Sequence, residues 1–163
     1  MISLSSTIKE QKHHVEREPV YSYKAKCRKS AKDDIGDSYV EVSISNQEVW
    51  LYINGECKVN SSVVTGDPTR GHQTYTGVYA ITYKQKDATL TGPNAGGGSY
   101  SSHVNFWMPF NGGQGLHDAD SWRSSYGGSI YRGSGSHGCV NCPYSTAATL
   151  YKYVDAGFPV IVY

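Results

Sequence analysis

The sequence predicts a mainly β fold, a barrel or sandwich, with one helix near its C-terminal end. Three observations carry that expectation. Apolar residues alternate with polar ones at a period of two in several short runs. The dipeptide Asn54-Gly55 falls between two of those runs. Only one stretch, after Pro143, repeats its apolar residues at helical spacing.

In chain order, residues 1–37 come first, and 14 of the 29 charged side chains lie there with few large apolar ones. They are expected to form a charged lead-in or the end of a preceding domain, and residues 38–163 one folded domain. Val40, Val42 and Ile44 alternate with Glu41 and Ser43, which predicts a strand with one buried face. Val49, Leu51 and Ile53 alternate in the same way, with Trp50 and Tyr52 on the other face. Asn54-Gly55 is the pair that best tolerates the two positive φ angles of a type I′ turn, so 56–64 is expected to return as the second arm of a β-hairpin. Residues 77–83, rich in β-branched and aromatic side chains, predict another strand. Residues 104–110 predict one more, ended by Pro109, and 115–117 a short strand that leads into a loop. Pro143 is expected to open the helix, where a missing N–H is no loss. Ala147, Leu150, Tyr151 and Val154 give that helix its apolar face, and Gly157 is expected to stop it. Residues 158–163 close the chain as a strand.

Composition narrows the function classes. A net charge of +1 and an isoelectric point near 7.7 argue against a protein built around neutralising the phosphates of nucleic acid. No apolar run approaches the roughly 18 residues of a membrane span. Four cysteines, Cys27, Cys57, Cys139 and Cys142, are too few and too unevenly spaced for a disulfide scaffold. The first ten residues lack a basic-then-apolar signal pattern. Glycine is unevenly placed: 12 of 18 fall between Gly92 and Gly138, alongside Trp107 and Trp122, which predicts loops folded over a site.

Reactive groups concentrate in Ser136-His137-Gly138-Cys139-Val140-Asn141-Cys142. A thiolate is the nucleophilic form of cysteine, and Cys139 stands a few residues before the predicted helix, whose N-terminal amides favour an anion. A nucleophile needs a base and the base needs an orienting acceptor; His117, with Asp118 or a neighbouring carbonyl, can supply both. Gly138 allows close backbone approach, so amides around Cys139 can face a developing oxyanion. His72 and His103 are expected on surface loops. Cys57 is expected to pack on the hairpin, and the basic residues between Lys24 and Lys32 to be solvated.

The run from Ser136 to Asn141, preceded at a distance by His117, resembles the signature of the L,D-transpeptidase catalytic domain family. Val49 to Gly55, Val63-Val64-Thr65-Gly66, Phe106-Trp107-Met108-Pro109-Phe110, Gly115-Leu116-His117-Asp118 and Trp122-Arg123-Ser124 are similar to further segments of its Gram-positive members. Gly96-Gly97-Gly98 looks like added loop. The resemblance implies a peptidoglycan cysteine enzyme with an L,D-transpeptidase-like β fold and the helix following the cysteine loop. By it, Cys139 attacks the third residue of a donor stem peptide, D-alanine leaves, and an amine of a second stem resolves the thioester as a 3→3 cross-link. His117 is the implied base, oriented by the Asp118 carbonyl. His137 and Ser136 shape the loop, and the Gly138 and Cys139 amides receive the oxyanion. Asn141 and Trp122 are implied substrate contacts. No cofactor is implied. Carbapenem-type β-lactams are implied acylating inhibitors, and the work is placed outside the cytoplasmic membrane, facing the wall. Glu18-Pro19-Val20-Tyr21 resembles the end of a preceding substrate-binding region, so a fragment of a membrane-anchored protein is expected.

Four alternatives stand beside that reading. Water in place of the amine makes the enzyme an L,D-carboxypeptidase. His137, Cys139 and Cys142, with His103 or His117, have ligand types suited to Zn²⁺. Cys139-x-x-Cys142 before a helix can be a redox dithiol. Exposed Trp122 and Trp107 can serve a non-catalytic wall-binding module.

Overall fold

A computed structural model of the chain describes residues 35–94 and 97–163. The expected lead-in lies almost wholly outside the described residues, as do Cys27 and the basic cluster. Two sheets form the fold. The first holds five strands in the order β3 (Glu56–Ser62), β2 (Glu48–Ile53), β1 (Tyr39–Ser43), β9 (Pro159–Val162) and β4 (Gly77–Ala80). The second holds four, in the order β5 (Gln85–Pro93), β6 (Ser99–Asn111), β7 (Gln114–Asp118) and β8 (Val140–Cys142). Neighbours pair antiparallel except β1 with β9 and β7 with β8, which run parallel. The fold is mainly β, as predicted.

The β2–β3 hairpin turns at Asn54 (φ +51°) and Gly55 (φ +80°), the conformation the dipeptide was expected to adopt. Its inward residues Val49 and Leu51 are fully buried. In β1, by contrast, Glu41 and Ser43 are buried along with the valines. The expected solvent face is absent because β1 is a central strand, paired with β2 on one side and β9 on the other. The main core lies between the sheets, where Val42 and Leu51 of the first meet Met108 and Leu116 of the second.

The helix α1 spans Tyr144–Tyr153, with Pro143 just outside it as the N-cap (φ −56°, ψ 148°) rather than within its first turn. Ala147 and Leu150, three apart on one face, enter the core. The helix ends at Val154, whose N–H returns to the Leu150 carbonyl. Gly157 (φ +87°) instead makes the turn into β9.

Several boundaries depart from expectation. The strand predicted over 77–83 stops at Ala80, since the next amides leave the β9 ladder: Ile81 N–H donates to Phe158 O and Thr82 N–H to Pro109 O. Pro109 does not end its strand. It sits at a register shift, where a missing ladder donor is tolerated. Of the described glycines in the glycine-rich interval, Gly92 and Gly115 lie within strands, and most of the others fall in turns and loops, as expected. Gly97 and Gly98 belong to the β5–β6 turn, where Gly97 N–H reaches Asn94 O and Asn94 N–H reaches Gly98 O. Gly112 (φ +54°) turns β6 into β7.

Candidate active site

The parallel pairing of β7 with β8 assembles the site. Its register sets Leu116 beside Val140 and His117 beside Asn141, so Cys139, one residue before β8, falls alongside Gly115. Side chains alternate along a strand. His117, Cys139 and Asn141 therefore share the cleft face, while Leu116, Val140 and Cys142 point into the core. The odd spacing of Cys139 and Cys142 puts them on opposite faces. Cys142 is fully buried, its thiol donating to Val140 O (3.6 Å), so the pair does not form a shared dithiol or ligand face.

The cysteine loop is held from below by residues 63–67. Asn141 N–H bonds to Val64 O and Val64 N–H returns to Asn141 O. Ser136 N–H bonds to Thr65 O, and Asp67 N–H to Ser136 O. Buried Thr74 ties the two segments together: its hydroxyl accepts from Gly66 N–H (2.9 Å) and donates to Gly138 O (2.8 Å). The hydroxyl of Ser136 donates to Cys139 O (2.5 Å) and accepts from Gly138 N–H (3.0 Å), so it fixes the turn that presents the cysteine. Gly138 is required there by a φ of +119°, and a Cβ in its place would also displace the end of the Gln114 side chain. The Gly138 amide, an expected oxyanion donor, is thus engaged by Ser136.

His117 is buried on β7, and its Nδ1 donates to the carbonyl oxygen of Asp118 (2.8 Å). A carbonyl can only accept, so Nδ1 carries the proton and Nε2 keeps a lone pair. Burial lowers the His117 pKa from its ordinary value against the opposing pull of Asp118, and the ring rests neutral. The Asp118 carboxylate does separate work, accepting from Asn105 Nδ2 (2.6 Å) and Phe106 N–H (2.9 Å) to fasten β7 to β6.

The Cys139 thiol is half-buried and donates to Gly113 O (3.4 Å) rather than to the imidazole, although both line one cleft of about 250 Å³. Burial pushes the thiol up to about 11, opposed by the Gly115 N–H bonded to its sulfur. The expected help from the helix N-terminus does not reach it, because β8 intervenes and the first helical amide, Tyr144 N–H, donates to the Asp120 carboxylate. Thiol and imidazole therefore rest as a neutral pair.

Asn141, expected to touch substrate, lies between His117 and Arg123. Its Nδ2 donates to His117 Nε2 (3.2 Å), and its Oδ1 accepts from Arg123 Nε and Nη2 (3.2 and 3.3 Å). Sequence reasoning overlooked Arg123 as a site residue, along with Thr74. Arg123 stood in a segment noted only for resemblance, and Thr74 in none. Trp122 is 45% exposed at the cleft wall, its ring 5.9 Å from that of His117. Trp107 is buried, packing with Ala88 and Val104. His137 lies against two rings, Tyr100 at 4.7 Å and His72 at 4.6 Å between centroids. His72 is therefore not the expected surface residue: it is half-buried, and its Nε2 is shielded from solvent. His103 is exposed, 3.8 Å from the Asp87 carboxylate.

His117 on β7 and Cys139, just ahead of the neighbouring parallel strand β8, thus face one cleft, with Ser136-His137-Gly138 directly before the cysteine. The L,D-transpeptidase catalytic domain family (YkuD) covers residues 37–162. The chain belongs to the L,D-transpeptidase family.

Among solved L,D-transpeptidases, a cysteine-to-serine mutant of the Enterococcus faecium enzyme is 41% identical, with a TM-score of 0.72 over 78% of this chain and 50% of that one. The catalytic domain of the E. faecium enzyme acylated by ertapenem is 42% identical, with a TM-score of 0.70 over 78% of this chain and 98% of that one. An L,D-transpeptidase from Mycobacterium smegmatis shares the fold at 23% identity and a TM-score of 0.67, over 78% of this chain and 58% of that one. The chain spans about half the length of the longer E. faecium protein. No relative with a curated description matches it. Among the described residues, no helix of this L,D-transpeptidase domain is long and apolar enough to cross a membrane.

Proposed function

We propose that this L,D-transpeptidase domain joins peptidoglycan stem peptides through a Cys139 thioester, forming 3→3 cross-links and releasing D-alanine from the donor. The observation that carries the reading is the position of Cys139 where two clefts meet. One, of about 250 Å³, holds His117, Trp122 and Arg123. The other, of about 290 Å³, is lined by Tyr83, Trp107 and Gly113. A thiol open to both sides suits an acyl group delivered from one peptide and removed by another, whereas hydrolysis needs only one peptide site.

In the first half-reaction the thiol turns from Gly113 O toward His117, replacing the hydrogen bond that Asn141 gives to Nε2. Sulfur bonds to the carbonyl carbon of the third stem residue as its proton passes to Nε2. Collapse of the tetrahedral adduct breaks the C–N bond, and the D-alanine nitrogen takes the proton back from the imidazolium. In the second half-reaction an amine of another stem attacks the thioester and loses its proton to Nε2. The C–S bond then breaks and Cys139 regains its proton. Starting from two neutral groups, the site needs no resting ion pair. The Asp118 carbonyl holds Nδ1–H throughout, so the ring presents one reactive nitrogen. The amide of Cys139 faces the oxyanion in this scheme, and Gly138 N–H joins it if Ser136 Oγ releases it. Cross-linking of stems takes place outside the cytoplasmic membrane, and the proposed site of action is there. The ertapenem adduct of the E. faecium domain extends by proposal to carbapenem acylation of Cys139.

The test is mass spectrometry of the protein with a tetrapeptide stem and an amine-bearing acceptor. A thioester mass on Cys139, free D-alanine and a 3→3 dimer are expected. D-alanine without dimer would make the enzyme a carboxypeptidase, and an unmodified Cys139 would overturn the reading.

A further inference from the structure

Arg123 is the one permanently charged side chain lining the His117–Cys139 cleft among the described residues. Half-buried, it has no carboxylate partner there. The two acids nearest in sequence are committed elsewhere, Asp118 to Asn105 and Phe106, and Asp120 to the Tyr144 amide. Three of its five N–H groups lie on Nε and Nη2, whose partners are neutral oxygens: Asn141 Oδ1 for both nitrogens, and Ser134 O for Nη2 (3.0 Å). Nη1, with two N–H groups, has no acceptor among the described residues. A guanidinium fixed by neutral partners in a partly desolvated cleft is a site awaiting an anion.

We propose that Arg123 binds the free α-carboxylate of the residue that the donor peptide expels, so that the enzyme reads the end of its donor chain. The inference rests on the thioester mechanism proposed above. Covalent geometry fits it, since the carboxylate of a leaving residue lies only about 4 Å beyond the scissile carbon. Arg123 and Cys139 line the same cleft, so one peptide can reach both. A donor one residue longer would turn that carboxylate into a neutral amide and carry its charge about 3.8 Å further on. Arg123 would then face an uncharged group, and such a donor should be used poorly.

The discriminating experiment compares two donor stems that differ only at the C-terminus, one ending in free D-alanine and one in D-alaninamide. Steady-state kcat and KM for release of each amine are measured with the native protein, Arg123→Gln and Arg123→Lys. The native protein should prefer the acid by about tenfold or more in kcat/KM, the scale of a charge-assisted hydrogen bond. Arg123→Gln should bring the acid-to-amide ratio close to one, chiefly through KM for the acid, and Arg123→Lys should keep part of the preference. A native protein that uses both stems equally would overturn the inference while leaving the thioester mechanism in place. So would an Arg123→Gln variant that slows both stems by the same factor, as a purely structural role through Asn141 requires. Release from neither stem, with Cys139 unmodified, would overturn the mechanism and the inference together.

Discussion

His117 Nδ1 is held 2.8 Å from the carbonyl oxygen of Asp118, its own neighbour in the chain. That bond fixes the tautomer and so determines how the site responds to pH. Burial lowers the His117 pKa below its ordinary value of 6.5 and raises that of the Cys139 thiol to about 11. In the proposed mechanism, acylation needs a neutral imidazole to take the thiol proton. Its rate should fall as pH drops through the lowered His117 value, at a pH below 6.5, and hold steady through neutrality. A rise toward pH 11 would follow direct ionisation of the thiol. A stopped-flow profile of carbapenem acylation checks this; an acid limb centred above 6.5 would contradict it.

Stability should carry the same signature. The unfolded chain protonates His117 before the folded one does, so this contribution is lost as pH falls below 6.5 toward the folded value. The unfolded chain ionises Cys139 near 9 and the folded one near 11, so that contribution is present below 9 and lost between 9 and 11. Urea midpoints for Cys139→Ser should therefore decline less between pH 9 and 11 than those of the native protein.

The two cysteines of the Cys-x-x-Cys run should separate cleanly. Cys139→Ala should abolish the carbapenem adduct seen by intact-mass spectrometry. Cys142→Ser should retain it, at a cost of about 1–3 kcal/mol in stability, because a hydroxyl replaces a thiol in an apolar core. Loss of the adduct in Cys142→Ser with the fold intact would revive a shared role for the pair.

Period-two patterning made β1 and β2 legible, since each has an apolar face pressed against the core, and the Asn54-Gly55 turn made the return strand β3 legible. β5 was invisible because Ala88 is its only buried residue and Asp87 breaks its geometry at φ +53°. β8 was hidden inside the reactive segment that resembles the family signature, and it is three residues long. The reactive pair was readable because cysteine and histidine carry chemistry that few other residues can. Arg123 and Thr74 were not, because their roles arise from a parallel strand pairing and a loop contact across 64 residues, which local pattern does not encode.

Thr74 should be needed for the fold beneath Cys139. Valine fills the same volume but cannot accept from Gly66 N–H or donate to Gly138 O, leaving two buried backbone groups unpaired. Each costs about 1–3 kcal/mol. Thr74→Val should lower the urea midpoint sharply and slow acylation, and Thr74→Ser should restore most of both. Equal stability of the valine and serine variants would show that the hydroxyl bridge contributes nothing.

Asn141 offers a test of the link between the base and its guanidinium neighbour. In Asn141→Asp a carboxylate of nearly the same shape would sit between His117 Nε2 and Arg123. A negative charge beside the ring favours imidazolium, so the His117 pKa should rise. The acid limb of acylation should then move to higher pH, and the activity at pH 6 should fall more than that at pH 8. Part of the shift should be cancelled by Arg123, which can pair with the same carboxylate; the double variant with Arg123→Gln should therefore shift further than Asn141→Asp alone. Asn141→Ala removes a donor that favours the neutral ring without adding charge, so its acid limb should also move up, but by less than that of Asn141→Asp. An acid limb in Asn141→Asp that does not move would place Asn141 out of contact with the base during the reaction.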